Sequence, residues 1–439
     1  VQARLEAIQQ LEAPHPRAPK PQAWIIIDNF DEIIEQDPTF LELVRRFALP
    51  GTVWLMCGRP EHGLDEEFRH GRAEHVFPEG LPVMSAPDIR AMLLEGMGNA
   101  RYALLKRDED DGTGEVHNAF VERVVEGAKG LPLYVNLLLD DLRVGALTVE
   151  DDDKLPDGLS DYYDGLMERV GLSTVSRDLP MIVSLLARSE EPLDAHAIAA
   201  LLTPTIEDYD IYVRRVKSAL RVGQSLMRTS TTPEGTLGYS LYHQSFREYI
   251  GGRPASPDAP ATPPASLIAE TVYEAERLLY RSSERWAELP AGNLRNHLFR
   301  WGTTYALDLQ GDAGLEEARK RLTDYAYLHT RLESLPPSAV IDLVVEYGEL
   351  ARRTPNGPAR DNLQLWEAFF RERAHILART GESWPSTRIL LQLAIEHADN
   401  SPVTHAAEEW MEQGGGKDWL WLRRPTRPAK LKENFALRV

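Results

Sequence analysis

Apolar residues run without interruption through two short segments near the start of the chain. The segment "AWIII", 23–27, leads directly into Asp28, and "TVWLMCGRP", 52–60, reaches Arg59 after seven residues that are mostly apolar. Runs of this kind predict strands that are buried on both faces, as in a parallel sheet. Residues 38–48 have helical spacing, so two strands joined by a helix predict one part of a doubly wound α/β layer.

Helical spacing replaces this pattern after residue 80. Ser85 is the candidate N-cap of a first helix that carries Ile89, Met92 and Leu93 on one face, and 116–143 contains two more helices broken at "GAKGLPL". These segments predict a small helical domain.

A different order of elements follows. Three helices are predicted between 178 and 224, and "QSLMRTSTTPEGTLGYSLYH" then alternates apolar and polar residues around a Pro-Glu-Gly turn. That alternation predicts a β-hairpin, which the helix "QSFREYI" follows. Helices, a hairpin and a closing helix predict a winged-helix domain.

A segment with five prolines, "GGRPASPDAPATPPAS", separates this region from a long helical remainder. Its composition predicts an extended linker. The fold class is therefore α/β plus mostly α. The predicted segments are 1–83 (the α/β part), 84–154 (first helical domain), 155–252 (winged helix), 253–266 (linker), 267–425 (second helical domain) and 426–439 (irregular tail).

Net charge, the length of apolar runs and the cysteine count exclude some classes of function. The net charge of −19, from 49 basic and 68 acidic residues, argues against a general nucleic-acid binder and against docking on an anionic membrane. The sequence contains no run of 18 apolar residues, so no membrane-spanning helix is expected. The single cysteine, Cys57, excludes an internal disulfide, and the cytoplasm is the expected location.

Three carboxylates follow the first strand, at Asp28, Asp31 and Glu32. Ligands of open α/β sheets bind at the carboxyl ends of the strands, and clustered carboxylates there favour a divalent cation that carries a phosphate ligand. On this interpretation Asp28 holds Mg²⁺, and Glu32, with Asp31 as its substitute, orients or deprotonates the attacking water. The alternative is a solvated acidic turn.

Three more residues are candidates for nucleotide contacts. Arg59 ends the second strand and could bind a γ-phosphate through its guanidinium, or could lie in a surface turn. Pro132 in "GLPLYVNLL" could pack on an adenine ring, or could simply begin a helix. His243 precedes the last helix of the predicted winged helix and could donate to a diphosphate, or could be a core histidine.

The order and spacing of these signals resemble the STAND class of P-loop NTPases, which contains the NACHT and NB-ARC proteins. The resemblance covers about residues 20–252, and the segment from 390 to 424 looks like the lead-in to WD40 repeats of bacterial members. It implies that Asp28 holds Mg²⁺, that Glu32 or Asp31 serves ATP hydrolysis, and that Arg59 senses the nucleotide. It also implies that Pro132 touches adenine and that His243 contacts the β-phosphate of ADP.

The resemblance further implies a switch. ADP holds the resting state, and sensing of a ligand, expected to be a protein, allows ATP exchange and self-oligomerisation. Effector and sensor domains outside this chain then act, in antiphage immunity or cell death.

The chain departs from the class pattern in three places. No G-x-x-x-x-G-K-[ST] loop occurs, and "GGGKDW" at 414–419 has the wrong spacing, so the phosphate loop is expected before Val1. Asn29 follows the first acid where a small residue is common, and Cys57-Gly58 replaces the hydroxyl residues that often precede the sensor arginine. The departures at Asn29 and at Cys57-Gly58 concern ATP hydrolysis more than nucleotide binding.

The sequence is also compatible with two other functions. The fold could serve as an interaction scaffold in which nucleotide turnover is lost. Alternatively, the basic stretch "YVRRVKSALRVGQSLMR", 212–228, could be a DNA recognition helix of a transcription regulator, although the acidic net charge favours a solvated or interdomain helix.

Overall fold

The structure is a computed structural model in which the described residues fall into separate ranges. They are 23–27, 30, 52–58, 82–97, 114–149, 152–171, 178–203, 208–252, 265, 268–379, 384–417, 419 and 428. The chain divides into two compact units, of which the first contains residues 1–82 and the second contains every described element from Val83 onward. Among the described residues, no helix has the length and apolar character needed to cross a membrane.

The first unit contains two neighbouring parallel strands, β1 (Ala23–Ile27) and β2 (Thr52–Met56). Their register pairs Ala23 with Thr52 and Ile27 with Met56, so both strands end at the same edge. The prediction of a parallel pair is confirmed. The prediction that β1 is buried on both faces is wrong, because Trp24 and Ile26, which share one face, are 44% and 68% exposed. The predicted helix at 38–48 lies outside the described residues.

The second unit begins with three helices. They are α1 (Ala86–Gly96), α2 (Gly114–Ala128) and α3 (Pro132–Val144). The Ser85 side chain accepts a hydrogen bond from the backbone N–H of Asp88, which confirms the predicted cap. Gly130 has a φ of +78°, a conformation that suits glycine, in the turn between α2 and α3.

The next elements alternate helices with a small antiparallel sheet. They are α4 (Leu159–Arg169), α5 (Asp178–Arg188), β3 (Leu193–Asp194), α6 (Ala195–Leu202), α7 (Tyr209–Val222), β4 (Met227–Thr231), β5 (Leu237–Leu241) and α8 (Gln244–Gly251). The sheet order is β3-β5-β4, and β4 pairs with β5 from Met227–Leu241 to Thr231–Leu237. The hairpin predicted from the alternation is confirmed.

Helices make up the remainder. They are α9 (Ala269–Glu284), α10 (Asn293–Leu322), α11 (Tyr325–Ser334), α12 (Val340–Arg353), α13 (Pro358–Leu377), α14 (Ser386–Ile395) and α15 (Pro402–Glu412). Helix α10 is kinked at Gly311, whose φ is +51°. Of the predicted linker 253–266 the structure describes only Ala265, which is buried.

Two hydrophobic cores organise the second unit. The first is continuous from Ile89 in α1 to Tyr305 in α10, and it therefore includes the segment around the β3–β5 sheet. The second extends from Phe299 to Ala407 and contains the C-terminal helices. Helix α10 contributes to both cores, so the α5–α8 segment and the C-terminal helices are built on a shared element. The predicted combination of parallel strands with a mostly helical remainder is confirmed at this level.

Candidate functional site

The carboxyl ends of β1 and β2 lie side by side. The backbone N–H of Cys57 donates to the Ile27 carbonyl oxygen at 2.8 Å, and that of Phe30 donates to the Cys57 carbonyl oxygen at 2.8 Å. These bonds extend the pairing just beyond both strands. The sequence places Asp28 directly after Ile27 and Arg59 three residues after Met56. Four candidate residues, Asp28, Asp31, Glu32 and Arg59, lie outside the described residues.

Pro132 occupies the first turn of α3 and is exposed. The preceding turn is held against the entry to α1, since the backbone N–H of Met84 donates to the Gly130 carbonyl oxygen at 2.9 Å. A Cβ atom on Gly130 would lie 2.6 Å from the Cβ of Val83. Proline is favourable at the start of a helix because it has no N–H to leave unpaired. The exposed ring is available to a ligand, and helix initiation alone also explains it.

His243 is the N-cap of α8. Its Nδ1 atom accepts a hydrogen bond from the backbone N–H of Ser245 at 3.1 Å and lies 2.7 Å from the Ser245 hydroxyl oxygen. Because a backbone N–H can only donate, Nδ1 carries no proton, and the neutral ring carries its proton on Nε2. Within the described residues, Nε2 has no hydrogen-bond partner. The prediction of a histidine at the start of this helix is confirmed, and the ring is half-buried rather than part of the core.

The electrostatic surroundings keep the His243 ring neutral. Burial lowers the pKa of His243 below its usual value, and repulsion by the Arg228 guanidinium lowers it further, while Glu248 opposes both. A neutral ring with a proton on Nε2 is a hydrogen-bond donor without a net charge. Positive charge for an anion would come from Arg228, which donates to the Ser240 hydroxyl at 3.1 Å.

A small cavity lies between the end of α5, the hairpin and the start of α8. It has a volume of about 80 Å³, and its lining includes Arg228, Ser240, His243, Gln244 and Arg247. A water molecule takes about 30 Å³ in the liquid, so the cavity has room for a few non-hydrogen atoms and cannot enclose a nucleoside. It could accept one end of an anion such as a phosphate group. Arg247 is already engaged, because its guanidinium binds the Glu190 carboxylate and the carbonyl oxygens of Ala187 and Ser189.

Helix α4 connects the elements that carry Pro132 and His243. At its C-terminal end Arg169 donates to the Asp141 carboxylate of α3 at 2.9 Å. In its middle, the Tyr163 hydroxyl lies 2.6 Å from the Ser245 hydroxyl of α8. The two candidate residues therefore lie on helices that a third helix holds in a defined relation, although no hydrogen bond joins them directly within the described chain.

Sequence reasoning missed Tyr163, Ser245 and Arg228 as parts of this site. The position of Ser245, two residues after His243, contains a usable signal, because an N-cap side chain bonds the backbone N–H two or three residues later. Tyr163 and Arg228 are distant in sequence and offer no such signal. Among the described residues, no group of three or more His, Cys, Asp or Glu side chains could hold a metal ion.

The basic stretch at 212–228 forms most of α7 and the start of the hairpin. Its cations differ in their surroundings. Arg215 makes two hydrogen bonds to Asp178, at 2.9 and 2.5 Å, and stacks over the Tyr212 ring. Arg214, Lys217 and Arg221 are exposed and form no ion pair with any residue that the structure describes.

No protein-family model matches this chain, and no curated protein or solved structure is significantly similar to it.

Proposed function

We propose that this chain is part of a nucleotide-controlled signalling switch of the STAND NTPase class. In the resting state bound ADP would lock the α5–α8 segment, which we propose to be a winged helix. Ligand sensing would release it and allow ATP exchange and self-oligomerisation, which activates an effector domain outside this chain. Antiphage immunity or cell death is the process that such a switch would serve.

The hydrogen bonding of the His243 ring is the observation that carries this proposal. Its Nδ1 atom is occupied by Ser245, and its Nε2–H group is left as a donor at the N-terminus of α8. A helix N-terminus attracts anions because its backbone N–H groups and dipole both favour negative charge. A donor there, beside Arg228, suits a terminal phosphate oxygen of ADP.

The parallel pair of strands gives independent support. Open α/β sheets bind ligands at the carboxyl ends of their strands, and β1 and β2 end together at Ile27 and Met56. The proposed Mg²⁺ ligand, Asp28, and the proposed nucleotide sensor, Arg59, follow these ends in the sequence. Glu32, or Asp31, would orient the attacking water if the full protein hydrolyses ATP. Bound Mg²⁺ would neutralise the charge of the phosphates.

The experiment that tests this proposal begins with the longest natural form of the protein. The purified protein is heat-denatured, and any released nucleotide is identified by chromatography. Near-stoichiometric ADP or ATP is the expected result. A protein that has a phosphate-binding loop but neither releases a nucleotide nor binds added ADP would contradict the proposal.

His243→Ala should then loosen the ADP-bound state and favour oligomers in size-exclusion chromatography. His196→Ala is a matched control, because His196 is an exposed histidine of the same segment that bonds to Tyr209 instead. An unchanged monomer for His243→Ala with ADP would remove His243 from the site.

A second candidate function, a transcription regulator, is favoured by the exposed Arg214, Lys217 and Arg221 of α7. Cations on such a helix could contact phosphates of duplex DNA. A DNA shift assay with a salt titration tests this, because each lost phosphate contact reduces the salt slope by about one. Charge reversal at Lys217 and Arg221 should change the salt slope if DNA binds there, and should leave ADP retention unchanged.

A further inference from the structure

Tyr163, Ser245 and His243 form a continuous chain of hydrogen bonds across two helices. Tyr163 in α4 is 1% exposed, and its hydroxyl oxygen lies 2.6 Å from the hydroxyl oxygen of Ser245 in α8. The same Ser245 hydroxyl lies 2.7 Å from Nδ1 of His243. The tyrosine and the serine are 82 residues apart in the sequence, so only the packing of α4 on α8 brings them together.

Two groups of Ser245, its backbone N–H and its hydroxyl, face Nδ1 of His243. The Ser245 backbone N–H donates to Nδ1, so that nitrogen is an acceptor. The Ser245 hydroxyl lies 2.7 Å from the same nitrogen, and in the arrangement where it donates to Nδ1 its oxygen accepts from the Tyr163 O–H group. In that arrangement the chain runs from Tyr163 through Ser245 to His243, and the free proton of the neutral imidazole is on Nε2.

Helix capping alone does not account for this arrangement. Ordinary N-caps are Ser, Thr, Asp and Asn, in which a side-chain oxygen bonds one or two backbone N–H groups of the first turn. An imidazole caps with Nδ1 and still presents a second nitrogen on its opposite side. A half-turn of the ring would place a carbon against the Ser245 N–H and the Ser245 hydroxyl, so both bonds oppose that rotation. A Tyr163 O–H group that donates to Ser245 would direct the Ser245 hydroxyl towards Nδ1.

We infer that Ser245 and Tyr163 are positioning residues that hold His243 in the Nε2-protonated tautomer and direct this N–H group at a phosphate oxygen. The identity of the acceptor, the terminal phosphate of a nucleoside diphosphate, rests on the proposed function. The tautomer and its dependence on Tyr163 do not. A hydrogen bond to a charged acceptor is stronger than a neutral one and depends on direction, so loss of the positioning bonds should weaken ADP binding.

The variants that test this inference remove one hydroxyl each. Tyr163→Phe and Ser245→Ala break the chain, whereas Ser245→Thr keeps the hydroxyl and serves as the conservative variant. Tyr249→Phe is a matched control, because Tyr249 also packs against the Tyr163 ring, with centroids 5.3 Å apart, but its hydroxyl bonds to Asp164 instead. Thermal unfolding of each variant shows that it is folded.

The first readout is the tautomer of His243 in the full-length protein. Two-bond nitrogen–proton spectra of histidine-labelled protein report which ring nitrogen carries the proton, and the His243→Gln spectrum identifies the signal. The wild type and Tyr249→Phe should show the Nε2–H tautomer alone. Ser245→Ala leaves only the backbone N–H of Ser245 on Nδ1 and should show a share of the Nδ1–H tautomer, and Tyr163→Phe, which keeps the Ser245 hydroxyl, should show a smaller share. An identical tautomer in all variants would overturn the inference.

The second readout is ADP affinity, measured by titration calorimetry on nucleotide-free protein. Tyr163→Phe and Ser245→Ala should raise the Kd by about fivefold to tenfold, the size expected for one weakened hydrogen bond. Ser245→Thr and Tyr249→Phe should bind as the wild type does. In a His243→Ala background, Tyr163→Phe should have no further effect, because it acts only through the imidazole.

The two failures are distinguishable. An effect of Tyr163→Phe that persists in the His243→Ala background would overturn the positioning role. An unchanged Kd in His243→Ala itself would overturn the proposed function at this residue, and the tautomer spectra would still decide the role of Tyr163 and Ser245.

Discussion

Arg300 in α10 donates from Nη2 to the carboxylate of Glu234, 2.7 Å away, and so holds the turn of the β4–β5 hairpin against a C-terminal helix. The same guanidinium binds Glu191 at distances between 2.6 and 3.1 Å, and Glu191 also contacts His297 at 3.0 Å. The tip of the hairpin is therefore occupied by an internal contact. This contact ties the hairpin turn to α10 and leaves its Glu234 side chain engaged, which disfavours a hairpin tip that contacts DNA.

Loss of Arg300 should destabilise the second unit. In Arg300→Gln, Glu234 loses its cation and Glu191 retains only His297, and both carboxylates are largely buried. We expect a loss of about 2–4 kcal/mol in the free energy of unfolding, measured with urea. Arg285→Gln is the control, because Arg285 and Glu288 form an exposed pair that should contribute less than about 0.5 kcal/mol. Equal losses in the two variants would contradict the role of the Arg300 contact.

The Arg331–Glu346 pair should show the cost of an unpaired buried charge. Arg331 is completely buried and donates to Glu346 through both terminal nitrogens, one of them at 2.8 Å. Glu346→Gln should cost about 3–5 kcal/mol, because it leaves the guanidinium without its counter-charge. Glu349→Gln on the same helix, which removes a carboxylate bound to exposed arginines, should cost about 0.5 kcal/mol or less. The double variant Arg331→Met with Glu346→Leu should recover much of the loss, and no recovery would contradict this interpretation.

Two glycines with similar backbone conformations should respond differently to alanine. Gly130 and Gly145 have φ values of +78° and +72°, so both substitutions incur the left-handed penalty of about 1 kcal/mol. A Cβ on Gly130 would also lie 2.9 Å from the Met84 carbonyl oxygen, whereas a Cβ on Gly145 meets no atom within 4 Å. Gly130→Ala should therefore be destabilising by about 1–2 kcal/mol more than Gly145→Ala. Chemical denaturation of the two variants measures the difference. Equal losses in the free energy of unfolding would show that the turn before Pro132 shifts to accommodate the added Cβ atom.

His397 should make the protein less stable in acid. Burial lowers its pKa to about 4, and Arg373 acts in the same direction while Glu372 opposes it. In the unfolded chain a histidine titrates near about 6.5, so between these values the unfolded state binds the extra proton. The contribution is complete above about pH 6.5 and is lost as the pH falls towards about 4. Since the ring is partly exposed, we expect a loss of about 1–2 kcal/mol.

The measurement for His397 is the free energy of unfolding between pH 7 and pH 4.5. His397→Gln should show a smaller decrease than the wild type over this interval. His375→Gln, which removes an exposed histidine from α13, should follow the wild-type curve. A wild-type slope in His397→Gln would show that other groups account for the acid sensitivity.

Local features of the fold were predictable because neighbouring residues dictate them. The Ser85 cap, the two helices separated at Gly130 and the hairpin around Pro233-Glu234-Gly235 each follow from hydrogen-bonding groups or backbone preferences within a few residues. The burial of β1 was not predictable in this way. The composition of "AWIII" suits a covered strand, but exposure of Trp24 and Ile26 depends on what packs on that face.

The sequence by itself determined the types of elements, their order and the candidate residues from Asp28 to His243. Tertiary structure alone decided which distant groups act on those candidates. Tyr163 reaches Ser245 because α4 packs on α8, Arg215 turns from α7 to Asp178, and Arg300 joins the hairpin turn to α10. Propensity and capping are short-range and leave a trace in the local sequence. A hydrogen bond between residues tens of positions apart is set by helix packing, which no local pattern records.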